Sequence, residues 1–159
     1  MAKLLIALDS SKGAWGAVEY VAKTFGNTPE VQVTLFHVLS GLPPAFWDDG
    51  HILEEKERDS RKRLVAAWQQ DQEKQWRDLV HKANQHLGAA GLAPKAVHHK
   101  FKPKYFDVAE DILEEAQAGA YDTVVMGRRG LGLAKSLLLG SITRKVVDNA
   151  NGCAVTIVA

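Results

Sequence analysis

Residues 121–147 read YDTVVMGRRGLGLAKSLLLGSITRKVV, and the order of residue types here decides the architecture. Residues 122–126 read as a strand, in which Asp122 leads into a short β-branched and apolar run, the pattern of a strand buried on both faces. Glycines follow at 127, 130 and 132, and a further glycine at 140 precedes Ser141, Ile142 and Thr143. A helix is expected within residues 137–150. Glycine lets a backbone approach phosphate oxygens closely. Successive N–H groups make an anion nest, and a helix N-terminus attracts anions through unpaired N–H groups and its dipole. Ser141 and Thr143 add hydroxyl donors, and Arg128 or Arg129 adds charge. The set suits a polyphosphate. Spacing alone leaves a second reading open, in which the glycines only turn the chain and Gly140-Ser141 only caps a helix. The pattern is not a Walker loop, because no Gly-Lys-Ser/Thr follows the glycines. Nor is it a dinucleotide fingerprint: Gly130-Leu131-Gly132 lacks a third glycine at Lys135, and that motif would follow the first strand.

Outward from this stretch the chain alternates. Residues 4–8 are a continuous apolar run, followed by the N-cap candidates Asp9, Ser10 and Ser11. Trp15, Val18, Val21, Ala22 and Phe25 then recur at helical spacing. Residues 31–38 read as a second strand. Residues 54–87 read as one long helix, with Leu64, Trp68, Trp76, Leu79, Val80, Ala83 and Leu87 as its apolar stripe. A weaker strand is expected at 95–101. A helix is expected at 106–118 with Ala109, Ile112, Leu113 and Ala116 facing inward, and a last strand at 153–158. Strands alternating with helices imply a parallel sheet with helices on both faces. Ligands then bind beyond the carboxyl ends of the strands, here marked by Asp9, Val38 and Gly127.

At 159 residues, one domain spanning 1–159 is expected. The formal charge of +1 argues against nucleic-acid binding by a basic face. No stretch approaches the roughly 20 apolar residues of a membrane span, and no secretory leader is evident, so a cytoplasmic protein is expected. The single cysteine, Cys153, cannot form an internal disulfide. The irregular stretch 40–50, containing Phe46 and Trp47, is a candidate lid over a bound ligand or a packing surface. The apolar last strand is an edge that invites pairing, which predicts a homodimer.

Gly127-x2-Gly130-x9-Gly140-Ser141 matches the G-2x-G-9x-G-[S/T] signature, so the chain resembles the ATP-binding branch of the universal stress proteins. The resemblance covers nearly the whole chain, including LLIALDSS at 4–11 and LFHV at 35–38. It implies a three-layer α/β sandwich of the adenine nucleotide alpha hydrolase-like type, with a five-stranded parallel sheet in the order 3-2-1-4-5. It also implies that Ala7, Leu8, Asp9 and Val38 contact adenine and ribose, with Asp9 reaching the ribose hydroxyls or a metal ion. Met126 belongs to the same implied set. The backbone at Gly127, Arg129, Gly130, Gly140, Ser141 and Ile142, with the Ser141 and Thr143 side chains, would hold the phosphates of ATP. A magnesium ion (Mg2+) bridging those phosphates fits its preference for substrate oxygens plus one or two carboxylates. The implied role is a stress-response or signalling module acting through a homodimer and protein partners. A nucleotide-free interaction module of the same fold is the alternative. The chain departs from the family pattern at Ala154, where a proline is common, and at 102–105, where a glycine-containing turn is common.

Catalysis finds little support in the residues. There is no Gly-x-Ser-x-Gly elbow and no general base near the glycine loop, so at most slow ATP hydrolysis is expected. His98 and His99 are adjacent on an expected strand and point to opposite faces, and His81 and His86 do not share a helix face, so neither pair suggests a metal site.

Overall fold

The structure, a computed structural model, describes residues 1–39, 41, 54–130 and 138–159. Its elements are β1 (Ala2–Ala7), α1 (Lys12–Phe25), β2 (Val31–Leu39), α2 (Glu55–Ala89), a 3-10 turn (Pro94–Ala96), β3 (Val97–Pro103), α3 (Val108–Ala118), β4 (Thr123–Gly127), α4 (Ser141–Asn149) and β5 (Ala154–Val158). The five strands form one sheet in the order β3-β2-β1-β4-β5. All four pairings are parallel, with Leu4 opposite Val33 on one side and Thr123 on the other. The strand order is the one the family resemblance implies, and the parallel pairing is the one the alternation of strands and helices implies.

Alternation along β1 shows why the sheet needs two helical layers. Leu4, Ile6 and Leu8 pack into one cluster with Ala17, Val18 and Val21 of α1 and Val80, Ala83 and Leu87 of α2. Leu5, one position out of phase, packs into the other cluster with Ile112 and Ala116 of α3 and Val146 of α4. Successive strand residues point to opposite faces, so an unbroken apolar run needs cover on both.

The long helix differs from expectation. Its buried residues are Trp76, Val80, Ala83 and Leu87, all in its second half, whereas Leu64 is 58% exposed. At about 1.5 Å per residue the helix is about 52 Å long, while the nine residues of β2 span about 30 Å. The sheet cannot cover the whole helix, and Leu64 falls on the overhanging part. On α3 the inward stripe is confirmed at Ala109, Ile112 and Ala116. It is joined by Asp111, which is fully buried, accepts from the Tyr105 N–H at 2.9 Å and lies 3.5 Å from the Lys102 ammonium.

The two sheet edges differ. β3 carries His98, His99 and Lys100, all exposed, with Lys100 paired to Glu115 and Lys102 to Glu114, each at 2.6 Å. β5 reads AVTIV. The candidate lid at 40–50, with Phe46 and Trp47, lies outside the described residues apart from Gly41. So do Gly132 and residues 133–137.

Candidate functional site

β1 and β4 are neighbours at the centre of the sheet. The chain leaves β1 for α1 on one face and reaches α4, on the other face, after β4. The connections therefore diverge and open a crevice beyond the two strand ends. Glycine makes the approach of these walls possible. A Cβ on Gly127 would fall 2.2 Å from the carbonyl carbon of Gly13, and one on Gly13 would fall 2.2 Å from the Arg129 carbonyl oxygen.

The crevice is a cavity of about 280 Å³, at the low end of ligand pockets, which run from about 300 Å³ upward. Ala7, Leu8, Asp9, Val38, Met126, Gly127, Arg129, Gly130, Ser141, Ile142 and Thr143 all line it. Eleven of the twelve residues singled out from the sequence are thus brought together around one space. Gly140 stands behind that wall, where a Cβ would come within 3.3 Å of the Arg129 Cα.

Two hydrogen bonds bear on the expected donor set. The Gly140 N–H is donated to the Arg128 carbonyl at 2.9 Å. The Thr143 hydroxyl, 3% exposed, is donated to the Gly127 carbonyl at 3.0 Å. Both groups tie α4 to the end of β4 and so shape the wall instead of presenting donors to the cavity. Among the described residues of α4, the donors that remain at this wall are the first-turn amides and the Ser141 hydroxyl. Three helices close their first turns with their own side chains. Ser11 Oγ accepts from the Ala14 N–H on α1, Asp107 Oδ1 accepts from the Glu110 N–H on α3, and Glu57 accepts from the Glu54 N–H on α2. The cap of α4 is Gly140, with no side chain to accept. Among the described residues no side chain accepts from its first-turn N–H groups, and the residues of that turn, Ser141, Ile142 and Thr143, line the cavity.

Asp9 carries the acid of the cavity among the described residues. Its Oδ1 accepts from the Ser11 N–H at 2.8 Å, and its Oδ2 lies 3.3 Å from where a Cβ on Gly130 would sit. The other residues that complete the lining are Ser11, Ala14, Phe36, His37, Val108 and Ile112. Of these, Phe36, Val108 and Ile112 join Val38 and Met126 in an apolar section. The sequence marked Ile112 as inward-facing, but whether that face met sheet or cavity depended on where α3 docked. His37 Nδ1 lies 2.7 Å from the Leu8 carbonyl. Its ring stacks on Trp76 at 5.3 Å and Phe101 at 5.7 Å. Burial holds the His37 pKa below its ordinary value, against the opposing Leu8 bond and Asp9 charge. The neutral ring then donates Nδ1–H to Leu8, extending the β1–β2 ladder past its last pair, Ala7 with Phe36.

Among the described residues no group of three His, Cys, Asp or Glu side chains is close enough to hold a metal ion. No helix among them is long and apolar enough to cross a membrane.

The family model described as the universal stress protein family matches residues 1–159. Solved structures match over most of their length. Hypothetical protein MJ0577 is 22% identical, with a TM-score of 0.71, covering 98% of this chain and 94% of that one. Universal stress protein UspA from Lactobacillus plantarum is 19% identical, with a TM-score of 0.68, covering 99% and 97%. A universal stress protein family protein from Arabidopsis thaliana, with AMP bound, is 18% identical, with a TM-score of 0.64, covering 99% and 91%. These identities speak for the fold. The search of curated proteins found no match.

Proposed function

The chain belongs to the universal stress protein family, and on that premise we propose that it binds an adenine nucleotide, ATP in particular, in the cavity between the ends of β1 and β4. The observation that carries this reading is the uncapped start of α4 beside a cavity that also has an apolar section. An apolar section flanked by aligned free amides suits a flat base joined to a phosphate chain. The AMP named with the Arabidopsis thaliana relative supports the same ligand class.

In this reading Phe36, Val38, Val108, Ile112 and Met126 enclose the base, and backbone at Ala7 and Leu8 lies along it. The phosphates meet the backbone at Gly127, Arg129, Gly130, Ser141 and Ile142 and the Ser141 hydroxyl. Gly140 and Thr143 hold that cradle in shape. Asp9, with one oxygen bonded to Ser11 and the other turned toward Gly130, serves the ribose hydroxyls or a magnesium ion bound to the phosphates. That ion would neutralise phosphate charge. Bonding of Asp9 to the Ser11 amide supports a binding role over a basic one, so hydrolysis is expected far below the enzyme median of about 10 per second.

We place the activity in nucleotide-dependent stress response or signalling in the cytoplasm, exerted through a homodimer. Support for pairing through β5 comes from the contrast between its apolar sequence and the charged β3 edge. Mass spectrometry of denatured purified protein tests the ligand directly. Carried-over ATP or ADP, with ATP binding by calorimetry, is the expected result. An empty protein that binds no adenine nucleotide overturns the reading in favour of an interaction module.

A further inference from the structure

We propose that Lys145 is a positioning residue of the cavity: it bonds α4 to α3 and so sets the distance between the phosphate wall and the base wall. Its role toward a ligand rests on the nucleotide reading above.

The α4 helix has nine residues, of which only Thr143 and Val146 are buried. Burial of two side chains is little to fix the placement of a helix whose first turn makes a cavity wall. Two bonds tie that turn to the end of β4, from the Gly140 N–H to Arg128 and from the Thr143 hydroxyl to Gly127. Neither bond constrains α4 relative to α3, which supplies Val108 and Ile112 to the opposite wall. Among the described residues, the polar contacts between these helices run through Lys145. Its ammonium donates to Asp107 Oδ2 and, at 2.7 Å, to Glu110 Oε1. Asp107 is also the N-cap of α3, accepting from the Glu110 N–H at 2.9 Å. The lysine therefore grips the first turn of α3 at its capping residue, next to Val108. On α4, Lys145 lies one helical turn beyond Ser141, on the same face.

A surface ion pair alone contributes little. This one holds one cation between two carboxylates, and it joins two short helices at the ends that face the cavity. Its effect should appear only for a ligand that touches both walls. ATP does so, whereas of these two helices adenosine meets only α3 and inorganic tripolyphosphate only α4.

Calorimetry with these three probes on the whole chain tests the proposal. Lys145→Met should weaken ATP about fivefold while adenosine and tripolyphosphate stay within about twofold, in the range expected of a small ion-pair network. Lys145→Arg should restore ATP binding. The double variant Asp107→Asn, Glu110→Gln separates bracing from simple charge, and Asn at 107 keeps the helix cap. Removing two negative charges near the phosphates would tighten ATP if only the field mattered, whereas a weakened brace loosens it. Tighter ATP in the double variant overturns the proposal. So does unchanged ATP in Lys145→Met, or an equal loss for all three probes. Hydrogen exchange of the ligand-free protein keeps the test independent of the nucleotide. Amides of Arg144 and Val146 should exchange at least about threefold faster in Lys145→Met, as a local opening would require. If the unaltered protein binds no ATP, the nucleotide reading fails, and unchanged exchange then removes the brace as well.

Discussion

Gly13 and Gly127 meet backbone to backbone, so close that a Cβ on Gly127 would lie 2.4 Å from the Gly13 carbonyl oxygen. The contact joins the first turn of α1 to the last residue of β4 and brings Asp9 and the glycine loop to one cavity. Neither glycine is needed for a left-handed φ, because the positive-φ glycines among the described residues are Gly91 and Gly152. Gly127→Ala should therefore destabilise the fold through overpacking against rigid main chain, by about 2–4 kcal/mol in urea denaturation. Gly88→Ala is the contrasting control. Nothing lies within 4 Å of a Cβ there, and the helical position should gain about 0.5–1 kcal/mol.

Thr143 is expected to act on structure first. Thr143→Val keeps the shape and leaves the Gly127 carbonyl without its buried donor, which should cost about 1–3 kcal/mol. Thr143→Ser should lose much less, because it retains the hydroxyl. Both are read from the urea midpoint. If Val were as stable as wild type, the hydroxyl bond would have no structural weight.

Gly140→Val tests the cradle. Its side chain must push against the Arg129 main chain at 3.3 Å and separate the two segments. ATP affinity should fall by at least about tenfold, a loss of about 1.4 kcal/mol, with the circular dichroism spectrum unchanged. Normal ATP binding in this variant would mean that the phosphates lie elsewhere.

His37 gives stability a pH dependence. Burial lowers its folded pKa, while the unfolded chain titrates near 6.5. Between the two values the unfolded state holds more protons, so the contribution is complete above about pH 6.5 and is lost as pH falls. Unfolding free energy should decline below about pH 6.5, with a slope of at most about 1.4 kcal/mol per pH unit from this group. His37→Phe keeps a ring between Trp76 and Phe101 and removes the titration. The difference between wild type and variant should shrink as pH falls from 7 to 5. A pH-independent difference would show that His37 does not titrate differently on folding.

The cavity was legible in outline because its parts carry local signals. Val124, Val125 and Met126 announce a buried strand, and Gly127, Gly130 and Gly140 announce backbone approach. What was not legible depends on distances between segments. Nothing local shows that the Thr143 hydroxyl finds the Gly127 carbonyl, 16 residues away. Gly13 carries no periodic signal, since a glycine in the first turn of a helix looks incidental until the opposing chain is placed. Asp111 sits in an acidic helix and reads as solvent-facing, yet it is buried against Tyr105 and Lys102. Leu64 fits the apolar stripe of α2 by spacing and is nevertheless exposed, because periodicity carries no information on how far the sheet extends.

The unequal edges of the sheet limit how copies of the chain can assemble. Lysines and histidines along β3 repel an incoming strand, while β5 offers an apolar one. Any association that joins β5 to β5 uses up the one receptive border of each copy. Growth then stops at two, and a continuous ribbon of stacked sheets has no way to propagate.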